Sequence, residues 1–189
     1  MSKLSTESIA CPFCVLIDSN EQQPFEFKGI RSDANHEYRP LAIFTKWQCL
    51  GRHPNQLGDY SVDGFVGRVH VERKSIKDCQ GTILGWGGSR DRFERELLNL
   101  SQTEAPLVVV EGSLAAVLAE ENEHRTREHR VIAKQLMRSI IAFQQDYHVP
   151  WLFCDDRRMA EVVTFRFLER FYRKHTEHSK RVRSMLSNL

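Results

Sequence analysis

An α/β domain with a mixed central sheet flanked by helices is the fold the sequence predicts, and three observations carry it. The apolar runs Val15-Leu16-Ile17 and Leu107-Val108-Val109-Val110 read as buried strands. Residues 69–74 alternate apolar and polar side chains with the period of a strand. Phe93, Leu97 and Leu100, and later Ile132, Leu136, Ile140, Phe143 and Tyr147, recur at the three- and four-residue spacing of helices. Strand and helix signals alternate along the chain, the order that gives a sheet with helices packed on it. With 189 residues, 41% hydrophobic and 28% charged, the chain suffices for one domain with a sizeable core and is too apolar for disorder.

Residues 1–10 are polar, lack the hydrophobic stretch of a signal peptide and read as a flexible N-terminus. The first strand ends in Asp18, Ser19, Asn20 and Glu21. Alone these residues read as turn chemistry, but beside the acidic motif downstream Asp18 and Glu21 become candidate ligands. Residues 57–62 and 69–74 read as strands bracketing Asp63-Gly64, a dipeptide suited to a tight hairpin turn, so Asp59 and Glu72 fall on neighbouring strands. His70, Glu72 and Lys74 then share one face, while Val69 and Val71 point into a core.

Residues 75–80 open a short helix, and residues 81–89 read as a glycine-rich loop around Trp86. That loop lacks the Gly-Lys-Ser or Gly-Lys-Thr ending of a nucleotide-binding loop, so no nucleotide cofactor is expected. Residues 90–100 form the next helix. Pro106 introduces the strand 107–110, and a helix over 113–120 follows. Residues 121–130 are dense in charge and read as an exposed connection, after which the long helix through Tyr147 ends at Pro150. Residues 151–154 suit a short strand, and Met159, Val163, Phe167 and Phe171 mark a final helix. Its additional apolar residues Val162, Phe165, Leu168 and Tyr172 either meet a second subunit or pack into the core.

The chemistry concentrates in Gly58-Asp59, Glu72-Arg73-Lys74 and Asp78. Two carboxylates hold a hard cation such as Mg²⁺ or Mn²⁺ through oxygen, leaving positions open for a phosphate oxygen and water. Lys74 adds positive charge beside a scissile phosphate, where it orients or helps deprotonate the attacking water and stabilises developing charge. The bland reading is a solvated charge cluster at a strand end. The ordered combination with Asp59 upstream, Asp78 downstream, and Asp18 and Glu21 near the N-terminus outweighs it.

Taken together these residues resemble the XPF family of structure-specific endonucleases, whose core motif is Gly-Asp, a spacer, Glu-Arg-Lys, three residues and Asp. Asp18-Ser19-Asn20-Glu21 matches the family's Asp-x-Arg-Glu segment with Asn20 in place of the arginine. The resemblance extends over roughly residues 11–175, through a helix after the motif and a strand ending in Val110-Glu111-Gly112, and leaves 176–189 as a basic loose tail. It implies a variant of the restriction-endonuclease core, metal ligation by Asp59, Glu72 and Asp18 or Glu21, a catalytic Lys74, and active-site places for Arg73 and Asp78. It further implies a Mg²⁺- or Mn²⁺-dependent endonuclease acting on branched, flap or junction DNA, of the compact stand-alone prokaryotic or phage type, with a homodimer through the C-terminal helix. The alternative is a non-catalytic junction-binding subunit that scaffolds another nuclease.

Net charge is only +2, but residues 157–189 hold nine Lys or Arg against three acids, which sets +6 there against −4 elsewhere. Arg173 and Lys174 in that segment, with Arg90 and Arg92 on the helix after the motif, are the candidate phosphate contacts, and ion pairing is their bland alternative. Cys11, Cys14, Cys49 and His53 have the spacing of an irregular zinc site, against which stands the simpler reading of reduced, buried thiols. Cys79 and Cys154 read as small hydrophobes, and His70 as a strand side chain. With no membrane-length apolar run and no leader, a cytoplasmic location is expected.

Overall fold

Six strands make one mixed sheet in the order β2-β1-β3-β4-β5-β6, formed by β1 (Ile9–Asp18), β2 (Leu41–Gln48), β3 (Tyr60–Val62), β4 (Val69–Lys74), β5 (Ala105–Val110) and β6 (Trp151–Phe153). The computed structural model describes residues 7–32, 38–51, 57–119 and 127–186, without the side chains of 127–129 and 178–186. β3 runs antiparallel to both β1 and β4, while β1–β2, β4–β5 and β5–β6 are parallel pairs. Helices α1 (Ile76–Leu84), α2 (Ser89–Ser101), α3 (Leu114–Leu118), α4 (Arg127–Tyr147) and α5 (Arg157–Leu186) cover the sheet.

Strand periodicity divides the core in two. Val15, Ile17, Tyr60, Val62, Val69, Val71, Leu107 and Val109 face one side, where Ala160, Phe165, Leu168 and Phe171 of α5 and the loop residues Phe25, Phe27 and Ile30 pack on them. Val108 and Val110 face the other side, against Cys79 and Ile83 of α1, Phe93, Leu97 and Leu100 of α2, and Leu136, Ile140 and Phe143 of α4. The helical stripes legible in the sequence are therefore the buried faces, as period matching requires. Phe165 and Leu168 lie fully in the chain's own core, while Val162 and Tyr172 are only partly buried.

Several local expectations need correction. The connection between β3 and β4 is not a two-residue turn but six residues, with Gly64 and Gly67 both at φ +82. Strand β2, which the sequence reading does not assign, is an edge strand whose Phe44 and Trp47 are more than half exposed on opposite faces, so no amphipathic alternation marks it. The stretch read as a glycine-rich loop begins inside α1, whose N-cap Ser75 accepts the Asp78 N–H and whose end is set by Gly85 in the left-handed region. Trp86–Gly88 then form a single 3-10 turn into α2. Helix α5 continues to Leu186 through most of the segment expected to be loose, and β1 begins at Ile9, inside the segment expected to be flexible. Among the described residues no helix is long and apolar enough to cross a membrane.

Candidate active site

The alternation that builds the core also builds the site. On β4, Val71 and Arg73 point toward α5, so Glu72 and Lys74 point the other way, toward α2. On β1, Ile17 faces α5, which turns Asp18 to the α2 side; on β3, Tyr60 does the same for Asp59. Three carboxylates and one lysine from three adjacent central strands thus meet at one end of the sheet, the C-terminal ends of β1 and β4. The site lies at strand ends in the middle of the sheet and not along an edge strand.

Backbone hydrogen bonds lock this geometry. The Asp59 N–H donates to Val71 O at 2.9 Å, and the Asp18 N–H donates to Asp59 O at 2.8 Å. Gly58 makes the approach possible: its φ is +90, and a Cβ there would stand 3.0 Å from Val71 O and 3.3 Å from Glu72 N, both backbone atoms that cannot yield. Gly58→Ala is expected to cost more than about 1 kcal/mol in urea denaturation and to force Asp59 away from Glu72.

The four side chains line a cleft of about 290 Å³ together with Arg92 and Glu96 of α2. Asp59 Oδ2 accepts the Arg73 N–H at 2.7 Å. Asp18 accepts the N–H groups of Leu50 at 2.8 Å and Asn20 at 3.0 Å. Glu72 Oε1 accepts from Lys74 Nζ, while its buried Oε2 has no hydrogen-bond partner among the described residues. Burial first, then the negative charges of Glu72 and Glu21, push the Asp59 carboxyl well above the usual carboxylate range, against the pull of Lys74. Burial and Glu72 likewise push Glu96 up to about 8. Burial works to lower the Lys74 pKa, but Glu72 and Glu96 outweigh it and hold the ammonium charged. The cleft therefore gathers more carboxyl groups than Lys74 alone keeps ionised.

A divalent cation fits that surplus. Carboxylate oxygens are hard donors, and Glu72 Oε2 is a buried acceptor lacking a donor. Among the described residues no three His, Cys, Asp or Glu side chains stand close enough together to form a complete metal cage. Mg²⁺ usually takes one or two protein carboxylates and completes its shell with water and phosphate.

The ERCC4 domain family model matches residues 17–167, the span that contains every one of these side chains. The chain belongs to the ERCC4 domain family. Among solved structures, XPF from Aeropyrum pernix aligns with TM-score 0.52 and 18% identity over 92% of this chain and 72% of that one. The same protein in complex with DNA aligns with TM-score 0.50 and 20% identity, over 86% of this chain and 66% of that one. None of the curated proteins matches the chain. At such identities the structural likeness concerns the fold, the α/β core expected from the sequence.

Other predicted site residues of this ERCC4 domain lie elsewhere. Arg73 and Glu21 meet on the α5 face: the guanidinium forms paired 3.0 Å bonds to both Glu21 oxygens and stands 3.2 Å from Glu111 Oε1. Arg157 also bonds Glu111 and donates to Gln23 O at 2.6 Å and Pro24 O at 2.9 Å, so β4, β5, α5 and the loop after β1 are bolted through one charge network. Glu21 is thus committed to Arg73, and Asp18 is the one of the pair that reaches the cleft. Asp78 sits in the first turn of α1 and accepts the Ser75 hydroxyl at 2.6 Å, a capping role. His70 is fully buried, its Nε2 accepts the Gly67 N–H at 2.8 Å, and burial pushes its pKa down to about 4, so the ring is neutral.

The candidate phosphate contacts also divide. Arg92 lines the cleft and, among the described residues, forms no hydrogen bond or salt bridge. Arg90 is tied to Glu94 at 2.9 Å, Ile83 O at 2.9 Å and Ser139 at 3.1 Å, and stacks over Phe143. Arg173 bonds Glu169 at 2.6 Å. Lys174 is exposed beside Glu104, and the next residue, His175, pairs with Glu104 at 2.9 Å, just before β5 begins. That end of the sheet is opposite to Glu72 and Lys74. The zinc reading fails on geometry: Cys11 is buried on the α5 face, Cys14 lies on the other face of β1, and Cys49 is exposed, while His53 lies outside the described residues. Glu96 escaped the sequence reading because it looks like one more charge among the arginines of α2; its position three residues after the buried Phe93 is the signal that was available.

Proposed function

We propose that this ERCC4 domain is a Mg²⁺- or Mn²⁺-dependent endonuclease that hydrolyses phosphodiester bonds of branched, flap or junction DNA. The observation that carries the reading is the convergence of Asp59, just before β3, and Glu72 and Lys74 of β4 on one cleft. Asp59 and Glu72 would hold the cation through carboxylate oxygen, with Asp18 beside them. A cation held there would neutralise phosphate charge and activate water as a nucleophile. Water oxygen attacks phosphorus, one P–O ester bond breaks, and the products are a terminal phosphate and a hydroxyl. Lys74 keeps a positive charge where negative charge develops on the phosphate oxygens, and Arg92 meets the incoming backbone at the rim. The preference for branched substrates rests on the family resemblance. A homodimer through the C-terminal helix stays an expectation from the family resemblance, with Phe165 and Leu168 already committed to the core.

Incubation of purified protein with labelled flap, fork, four-way junction and plain duplex DNA, with Mg²⁺, Mn²⁺ or chelator, tests the proposal. Cation-dependent cleavage that Asp59→Asn abolishes is expected. Binding without cleavage in every condition would sink it in favour of a scaffold subunit. The phosphate contacts are testable in the same system by fluorescence anisotropy across a salt series. Arg92→Ala is expected to weaken binding and reduce the salt slope by about 1, and Arg173→Ala and Lys174→Ala to weaken it less. Equal losses at all three positions would place the DNA along α5 instead.

A further inference from the structure

Glu96 lies outside the motif that carries the proposed reaction, yet its side chain is turned into the same cleft. The Lys74 ammonium has three neighbours there. Glu72 Oε1 accepts its hydrogen bond, Glu96 Oε2 stands 3.8 Å away, and the ring of Phe93 lies against it with 4.6 Å between Nζ and the centroid. Phe93 and Glu96 are three residues apart on α2, the spacing that puts two side chains on one helical face. One helix thus supplies an apolar floor and a carboxyl wall, and the side chains of Lys74 and Glu96 are both only 13% exposed.

The proposed cation makes that wall necessary. Glu72 faces two ways, with Oε1 on Lys74 and Oε2 unpartnered among the described residues, so a cation held by Glu72 shares its carboxylate with the ammonium. Two positive charges in a poorly solvated cleft repel strongly. A lysine stem is flexible enough to carry its charge out to water when its partner is shared. We infer that Glu96 is a positioning residue: it keeps the Lys74 ammonium in the cleft, against Phe93, while Glu72 engages the cation. Glu96 acts through Lys74 and is not itself a ligand. Its purpose rests on the nuclease reading, but the contact between Lys74 and Glu96 can be measured without it.

The deciding variant is Glu96→Gln, which keeps the shape and removes the carboxyl group that stands beside the ammonium. In ¹⁵N-labelled protein containing Mg²⁺, the Lys74 ammonium resonance, assigned through its loss in Lys74→Arg, is expected to be sharp and slow in proton exchange. In Glu96→Gln it is expected to broaden away while the backbone amide spectrum stays unchanged. In cleavage assays kcat is expected to fall about 10- to 100-fold with KM within about threefold, Glu96→Asp recovering part of the loss, and Mn²⁺ affinity unaltered. An unchanged Lys74 resonance in Glu96→Gln would overturn the inference. So would a tenfold or greater loss of Mn²⁺ affinity, which would make Glu96 a ligand. Failure of wild-type protein to cleave any substrate would defeat the nuclease reading alone, because the Lys74 resonance decides the role of Glu96 independently.

Discussion

Replacing Glu72 by glutamine is expected to lower kcat for DNA cleavage by on the order of 10³-fold, with little change in DNA affinity and no loss of stability. The two effects separate because one carboxylate serves chemistry at the expense of packing. Glu72 is buried beside Asp59 and Glu96, and its charge helps drive the pKa of both upward. The glutamine side chain is isosteric and neutral, so the repulsion falls while Lys74 keeps Glu96 at 3.8 Å as a partner. Removing surplus charge from a buried cluster is commonly neutral or stabilising. Single-turnover cleavage and urea denaturation of the same preparation measure both quantities. Wild-type turnover in Glu72→Gln would exclude Glu72 from the chemistry, and a stability loss above about 1 kcal/mol would mean that its contact with Lys74 is chiefly structural.

Arg73→Ala should have the opposite signature, a large loss of stability. Its guanidinium is buried between Glu21 and Glu111, and truncation leaves the buried Glu21 without its partner and Glu111 with Arg157 alone, a change that typically costs about 3–5 kcal/mol. The pH dependence identifies the cause. Burial alone would raise the pKa of Glu21, but the hydrogen bonds and charge of Arg73 outweigh it and hold the carboxyl below the usual range. A depressed folded pKa contributes stability that is fully present above the unfolded value of about 4.3 and is lost as pH falls through the folded value. The deficit of Arg73→Ala should therefore be greatest near neutrality and narrow below about pH 4. Urea midpoints at neutral and acid pH test this, and a deficit that is small or independent of pH would show that the Arg73 network does not hold these elements together.

These two variants change adjacent residues of one motif and are expected to fail for unrelated reasons. That follows from strand parity: neighbours on β4 face opposite sides of the sheet, so Glu72 enters the cleft while Arg73 enters the bolt beneath α5. The Gly-Asp and Glu-Arg-Lys motif therefore contains two devices, one chemical and one architectural. Glu111, in the Val110-Glu111-Gly112 segment at the end of β5, belongs to the second. Gly112 belongs with it in architecture, since a Cβ there would lie 2.5 Å from the Ile76 side chain at the start of α1.

Features governed by short-range periodicity were legible in the chain before it folded. Alternation along 69–74 put Glu72 and Lys74 on one face, the stripe Phe93, Leu97 and Leu100 marked the buried side of α2, and the apolar run before Asp18 marked a strand that delivers acid at its end. The motif spacing was enough to identify the family that the match over residues 17–167 establishes. The partners of these charges emerged only from docking of the elements. Glu21 and Asp18 are three residues apart and chemically alike, but the chain turns after β1 and sends one to Arg73 and the other to the cleft. Arg90 and Arg92 share a helix, yet only the packing of α4 against α2 ties Arg90 to Ser139. Glu96 gained its place because α2 crosses the end of β4, a contact between residues more than twenty positions apart. A sequence records which face a residue can present, through dihedral geometry that is local; which charge it meets there depends on how distant elements dock, and no local pattern encodes that.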